Sequence, residues 1–236
     1  MLKLPVIPDG GFIDINPSKI IALGLNYVEH ARESISQKVS LRNDLPDEPV
    51  LFVKTPNVLV GPGEAIVLPV VDKKYVRDAG GPRTDYEAEL ALIIGRRAKN
   101  VPVSEAMDYV MGFTCFNDVS QRDIQTYDRS GWWRGKSLDT FGPIGPCVVP
   151  ANKIGDVHNL RIRSILNGKV VQDASTSELI FKIPEIISFV SRFVTLEEGD
   201  IISTGTPAGV GPLSPGDVIE VDIENIGVLK NPVVSQ

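Results

Sequence analysis

Apolar residues in this chain cluster in short blocks rather than in long helical periods. The blocks "VLFVKTP" (50–56), "AIVLPVV" (65–71), "LALIIG" (90–95), "VMGFTCF" (110–116), "GPCVVP" (145–150), "RIRSILNG" (161–168) and "VIEVDIENI" (218–226) are β-rich and bounded by Gly, Pro or Asn. Each is predicted as a strand. Helices are fewer. "SEAMDYV" (104–110) makes a short one capped by Ser104. "IPEIISFVSRFVTLEEGD" (183–200) makes the clearest, with Pro184 in its first turn. Ile186, Ile187, Val190, Phe193 and Val194 fall on one face, and Gly199 stops it. The elements do not alternate as βαβ units, which argues against a doubly wound sheet. The fold class expected is mixed and mainly β (α+β), with peripheral helices. "SISQKVSLRNDLPDE" (34–48) is polar without a period and reads as a mobile loop. It ends a small N-terminal subregion, residues 1–55, ahead of a main body, 56–236.

One predicted strand carries unusual chemistry. In "TDYEAELALIIG" (84–95), Glu87 and Glu89 stand two positions apart and run into an apolar stretch. Side chains at i and i+2 of a strand point the same way, roughly 6.6–6.8 Å apart along it. An edge strand facing solvent is the ordinary explanation. Here Leu92 to Ile94 are apolar on both faces, as in a strand covered on both sides. Two buried carboxylates about 4 Å apart repel by about 4 kcal/mol at an effective dielectric of about 20. A divalent cation removes that conflict, and all-oxygen ligation points to Mg²⁺, Mn²⁺ or Ca²⁺ rather than Zn²⁺. Asp118, at the end of the strand Met111 to Phe116, is a third carboxylate. By itself it serves equally as a helix N-cap. Asp123 pairs as readily with Arg122 or solvent.

Composition narrows the partners. The 236 residues are 42% hydrophobic, enough for one large domain with a real core. A formal net charge of −6 without a basic run disfavours nucleic acid and anionic membrane. No apolar run reaches the roughly 18 residues of a membrane span. The start "MLKLPVIPDGG" has no signal-peptide core, and Cys115 and Cys147 read as buried free thiols. A cytoplasmic protein is the expectation.

The remaining candidates are few. His158 in "GDVHNLRI" reads as a surface residue. His30 in "GLNYVEHARES" has Glu33 three residues later, on the same helical face. That is either an exposed ion pair or a base oriented by a carboxylate. "SGWWRGKSLDTFGPIGP" approaches a phosphate-binding loop, but Ser130 stands where that pattern needs Gly, so a nucleotide site is not expected. Lys136, beside Gly135, is either a surface lysine or one held against a ligand. Gly205, Gly209 and Gly211 in "TGTPAGVGPLSPGD" make either a tight β connection or a loop of amides facing a ligand.

Together these pieces resemble one family. "GLNYVEHARE", "PVLFVKTPNVLVGPGEAIVLP", "DYEAELALIIG", "GFTCFNDVSQRDIQ", "RGKSLDTFGPIGP", "LNGKVVQDASTSELIF" and "LEEGDIISTGTPAGVGPLSPGD" occur in the order seen in the fumarylacetoacetate hydrolase superfamily. The likeness runs from about Ile20 to Pro232, and several blocks in order are more specific than any one motif. The compact length is similar to the acylpyruvase and oxaloacetate decarboxylase branch and to bacterial isomerase/decarboxylases of aromatic degradation. The resemblance implies a mixed β-roll, a homodimer, and Mg²⁺ (Mn²⁺ or Ca²⁺ as alternatives) held by Glu87, Glu89 and Asp118. The extra N-terminal domain of the fumarylacetoacetases proper has no counterpart here, so their further aspartate ligand is absent and the three-carboxylate form is expected. Lys136 corresponds to a lysine that contacts substrate oxygen. Gln125 and Thr206, with the Gly205 loop, correspond to pocket groups, and His30 and Glu33 to a base dyad on a segment that orders over substrate. The Gly- and charge-rich stretch before Tyr86 and the Trp132–Trp133 pair depart from the family pattern and bear on substrate choice.

The expected function is Mg²⁺-dependent hydrolysis or decarboxylation, breaking C–C bonds in acylpyruvate-like or β-keto diacids. The alternative is an isomerase/decarboxylase of a ring-fission diacid. A metal-stabilised binding protein without turnover is the third reading, which the His30–Glu33–Lys136 set disfavours.

Overall fold

A computed structural model describes residues 2–36, 45–76, 81–129 and 131–236. The chain is mainly strand with few helices, as expected. Its N-terminal part forms β1 (Leu2–Pro5), β2 (Phe12–Ile15), β3 (Ile20–Gly24), α1 (Val28–Ser36), β4 (Val50–Lys54), β5 (Leu59–Val60) and β6 (Ile66–Leu68). The middle forms β7 (Thr84–Tyr86), β8 (Ala88–Ile94), β9 (Val110–Asn117), β10 (Ser120–Gln121), α2 (Arg122–Tyr127), α3 (Trp133–Lys136) and β11 (Gly142–Pro150). Then come β12 (Arg161–Leu166), β13 (Lys169–Ser175), α4 (Ile183–Phe193), β14 (Ile201–Ser203), β15 (Gly211–Pro212), β16 (Val218–Ile223) and β17 (Gly227–Ser235).

Two sheets make the body. The larger runs β4-β3-β14-β8-β9-β11-β5 and the other β13-β12-β16-β17-β6. β14 lies parallel to β3 and antiparallel to β8. Every residue of β8 is buried, because both of its faces are covered. Leu90, Leu92 and Ile94 pack with Ile162, Val221 and Ile223 of the second sheet and with Ile186, Ile187 and Val190 of α4. Ala91 and Ile93 face the other core, with Leu4, Ile20 and Phe116. By the two-residue period, Glu87 and Glu89 share this second face. No described helix is long and apolar enough to cross a membrane.

Several local expectations need correction. The turn at Val103–Tyr109 is a 3₁₀ helix whose N-cap is Pro102, without a side-chain bond, so Ser104 lies inside it. A proline with fixed φ sets that entry instead. α4 has Pro184 in its first turn but ends at Phe193, and Gly199 falls in the turn before β14. Leu196 and Ala98 exchange both backbone hydrogen bonds, which pulls the chain straight before Gly199 is reached. Phe193 is therefore 67% exposed and Val194 partly exposed, outside the buried stripe. His158 is half-buried, and its Nε2 accepts the first amide of α4, Ile183 N, at 3.2 Å. Cys115 and Cys147 are buried free thiols. Of the segment 34–48, residues 37–44 lie outside the described residues.

Candidate metal centre and active site

Sheet register brings three carboxylates together. Ala88 on β8 pairs with Asn117 on β9, so Asp118 leaves β9 beside Glu87. The Asp118 amide donates to Glu87 O at 2.9 Å, and the Glu87 amide donates to Asn117 Oδ1 at 3.0 Å. Asp118 is not a helix cap; Gln121 caps α2 through the Ile124 amide. Glu87, Glu89 and Asp118 are all buried, and each offers a carboxylate oxygen within 4.8 Å of the others'.

Positive side chains surround them. Lys136, at the end of α3, donates from Nζ to Glu87 Oε2 at 2.8 Å and to Asp118 Oδ2 at 2.6 Å. Lys54, the last residue of β4, is fully buried and donates to Asp118 Oδ1 at 2.6 Å and Val119 O at 3.3 Å. Arg122 donates from Nη2 to Glu87 Oε1 at 2.6 Å and from Nε to Asp85 Oδ2 at 2.8 Å. Burial opposes charge on Glu87, but Lys136 and Arg122 outweigh it and hold its carboxyl well below the usual range. Burial likewise opposes the Lys136 ammonium, but Asp118 and Glu87 prevail and its pKa rises. On Lys54 burial wins over Asp118, and its pKa falls.

Glu89 differs. Its Oε2 accepts the Ser203 hydroxyl and the Gly205 amide, the latter at 2.9 Å. Its Oε1 is buried and has no hydrogen-bond partner among the described residues. Burial, then Asp118 and Glu87, push its pKa well above normal. A buried unpaired carboxylate oxygen is costly. Beside two further carboxylates it fits a hard dication, which takes oxygen ligands.

Two glycines make the positions possible. Gly135 packs α3 onto α2 so closely that a Cβ there would lie 2.7 Å from the Gln125 nitrogen and 2.8 Å from Gln121 O. That contact delivers Lys136 inward. Gly205 has φ +99°, and a Cβ on it would sit 2.8 Å from Asn26 Cβ. Its conformation aims its amide at Glu89.

Above the triad lies a cleft lined by His30, Glu87, Gln125, Trp132, Lys136 and Thr206. His30 Nδ1 is 3.5 Å from Glu33 Oε2, and that oxygen accepts the Gly209 amide at 3.2 Å. The neighbouring His30 imidazole lowers the pKa of Glu33 against the opposing effect of burial, with the Gly209 amide assisting. Gln125 accepts from Arg122 at 3.0 Å, and Thr206 Oγ1 accepts from Gln172 at 2.9 Å. Trp132 packs edge-on against Phe52, with ring centroids 5.5 Å apart, whereas Trp133 lines a separate surface cleft. Asp123 is buried and holds the Arg83 amide at 2.8 Å.

Lys54, Arg122 and Ser203 also hold the triad, and the sequence expectations give them no role in it. Lys54 did leave a signal, as the lone charge closing an apolar strand block. From sequence Arg122 reads only as a partner for Asp123.

Comparisons with known proteins place the chain in a family. The family model "Fumarylacetoacetate (FAA) hydrolase C-terminal" matches residues 19–234. An uncharacterized protein of Pyrococcus abyssi is 47% identical over 100% of this chain and 98% of its own length. The mitochondrial oxaloacetate tautomerase Fahd2a of Rattus norvegicus is 39% identical, over 98% of this chain and 72% of its own. Among solved structures, 5-carboxymethyl-2-hydroxymuconate delta-isomerase from Mycobacterium smegmatis is 39% identical at TM-score 0.80, over 94% of this chain and 80% of its own. Fumarylpyruvate hydrolase from Pseudomonas aeruginosa, in complex with Mn²⁺ and pyruvate, is 27% identical at TM-score 0.83, over 100% and 96%. With that match across the body and a triad able to hold a metal, this chain belongs to the fumarylacetoacetate hydrolase family.

Proposed function

We propose that this protein is a divalent-metal-dependent enzyme of small 2-oxo diacids whose central event is making and holding an enolate. The observation that carries this is one cleft where a carboxylate triad with an unpaired buried oxygen meets a buried lysine and a His–Glu pair. A bound dication, Mg²⁺ by the sequence reading with Mn²⁺ or Ca²⁺ as alternatives, would polarise the keto oxygen and offset charge developing there. The Lys136 ammonium, kept charged by Asp118 and Glu87, adds positive charge to the same oxygens. His30, oriented by Glu33, takes or returns a proton at the carbon beside the keto group. Gln125 and Thr206 offer polar edges to the far carboxylate, and Trp132 with Phe52 limits water entry.

The first reading is conversion of β-keto diacids of the oxaloacetate class, by proton shift or decarboxylation. The relatives named as tautomerase and isomerase, both 39% identical, support it. The second reading is hydrolytic C–C cleavage of acylpyruvates, which also requires His30 to activate a water. The likeness to the Pseudomonas hydrolase favours that one. A binding protein without turnover would have no use for the His–Glu pair. The reading includes a homodimer.

The test is turnover by purified protein with Mg²⁺ or Mn²⁺ on oxaloacetate, acetylpyruvate, fumarylpyruvate and a hydroxymuconate-type diacid. Keto–enol exchange and CO₂ release are followed separately. Bound metal without turnover of any of the four would reject the enzyme reading.

A further inference from the structure

We infer that Lys54 and Ser203 act as latches that make the triad carboxylates one-oxygen ligands and so turn the site toward small octahedral dications and away from Ca²⁺. This rests on the metal reading above and concerns which metal the site admits.

Each carboxylate is divided in the same way. Asp118 gives Oδ1 to Lys54 at 2.6 Å. Glu89 gives Oε2 to the Ser203 hydroxyl and the Gly205 amide. Glu87 gives Oε1 to Ser120 at 3.0 Å and to Arg122 at 2.6 Å. These donors are fixed: Lys54 is enclosed in protein, Arg122 is braced by Asp85, and Gly205 is backbone. The opposite oxygens are Asp118 Oδ2, Glu89 Oε1 and Glu87 Oε2. Glu89 Oε1 has no partner among the described residues, and the other two share the ammonium of Lys136.

Asp118 already has Lys136 on its other oxygen. A second, fully buried ammonium at the back of the same carboxylate fixes its orientation. Ca²⁺ accepts about six to eight oxygens and gains from two-oxygen carboxylates, whereas Mg²⁺ demands an octahedron of about six single contacts. Three latched carboxylates supply three single contacts and deny Ca²⁺ its bidentate option.

The experiment is calorimetric titration of Mn²⁺ and Ca²⁺ into wild-type protein, Lys54→Met and Ser203→Ala, with melting curves as the check on folding. Wild type should bind Mn²⁺ more tightly than Ca²⁺. In Lys54→Met the Mn²⁺/Ca²⁺ affinity ratio should fall about tenfold, the lower range for partners that orient metal ligands. In Ser203→Ala it should fall less, because Gly205 still holds Glu89. Equal changes for both ions in Lys54→Met mean a pure charge effect and overturn the latch. If Lys54→Met does not fold, Ser203→Ala decides, and an unchanged ratio there overturns it. Wild type binding neither ion overturns the metal reading and the latch with it.

Discussion

Glu33 Oε2 accepts the backbone amide of Gly209 at 3.2 Å, so the carboxylate that faces His30 is fastened to the loop between β14 and β15. The pair is held in place from outside α1. Its pKa also lies below the usual carboxylate value, so Glu33 stays ionised to lower pH than an ordinary Glu.

His30→Ala and Glu33→Ala should each lower kcat/KM by about 10²–10⁴-fold where a proton must be moved or a water activated. Metal-promoted decarboxylation of oxaloacetate should fall less. The comparison is kcat/KM for keto–enol exchange, acylpyruvate hydrolysis and CO₂ release in both variants. Full activity of His30→Ala in all three would remove this histidine from the mechanism.

Glu89→Gln should move stability and metal binding in opposite directions. Removing a buried carboxylate whose Oε1 is unpaired relieves the protein when no metal is added, so its Tm rises near neutral pH. The sign follows from the raised pKa: such a group favours folding below its unfolded pKa and loses that contribution as pH rises. Mn²⁺ affinity should fall by more than about a hundredfold, beyond the range for partners that only orient ligands. Scanning calorimetry with and without Mn²⁺ reads both, and unaltered metal affinity would exclude Glu89 as a ligand.

Gly135→Ala should cost about 1–3 kcal/mol, because the added methyl has no room against Gln125 and Gln121. α3 must shift, and Lys136 moves with it. Turnover should fall even at temperatures where the variant is fully folded. Wild-type kcat/KM in a folded Gly135→Ala protein would show that this packing does not place the lysine.

His158 should give the protein a pH-dependent Tm on the acid side of neutrality. Burial, then Lys182, lowers its pKa, and its neutral Nε2 accepts the Ile183 amide. The stabilisation is therefore present above the unfolded pKa of about 6.5 and is lost as pH falls through the folded value. The bond is worth about 1 kcal/mol. His158→Gln keeps an acceptor that does not titrate, so its Tm should fall less steeply between about pH 7 and pH 5. Parallel curves for the two proteins would count against this.

What the sequence made legible follows from how local each signal was. Glu87 and Glu89 stood out because two carboxylates preceded a stretch apolar on both faces, and the fold explains that stretch by a strand covered twice. Ile186, Ile187 and Val190 were found by their spacing, but the end of α4 depended on Leu196 pairing with Ala98, nearly a hundred residues away. β14 has three residues and β13 carries Lys169, Gln172 and Asp173, so neither makes an apolar block. Lys54 and Asp118 are 64 positions apart, and Ser203 and Glu89 are 114 apart. No spacing rule reaches that far. Those partners are visible only once the sheet order is known.

The position of β14 between β3 and β8 also orders events during synthesis. β3 is made early, β8 in the middle, and the three residues that join them come late in the chain. Until Ile201–Ser203 leaves the ribosome, the nascent sheet has an open seam with two unpaired edges. Glu89 still lacks Ser203 and Gly205 at that stage, and Thr206 has yet to reach the cleft. A chain stalled before this strand should keep both edges available to other chains and have no finished site, and so be open to aggregation.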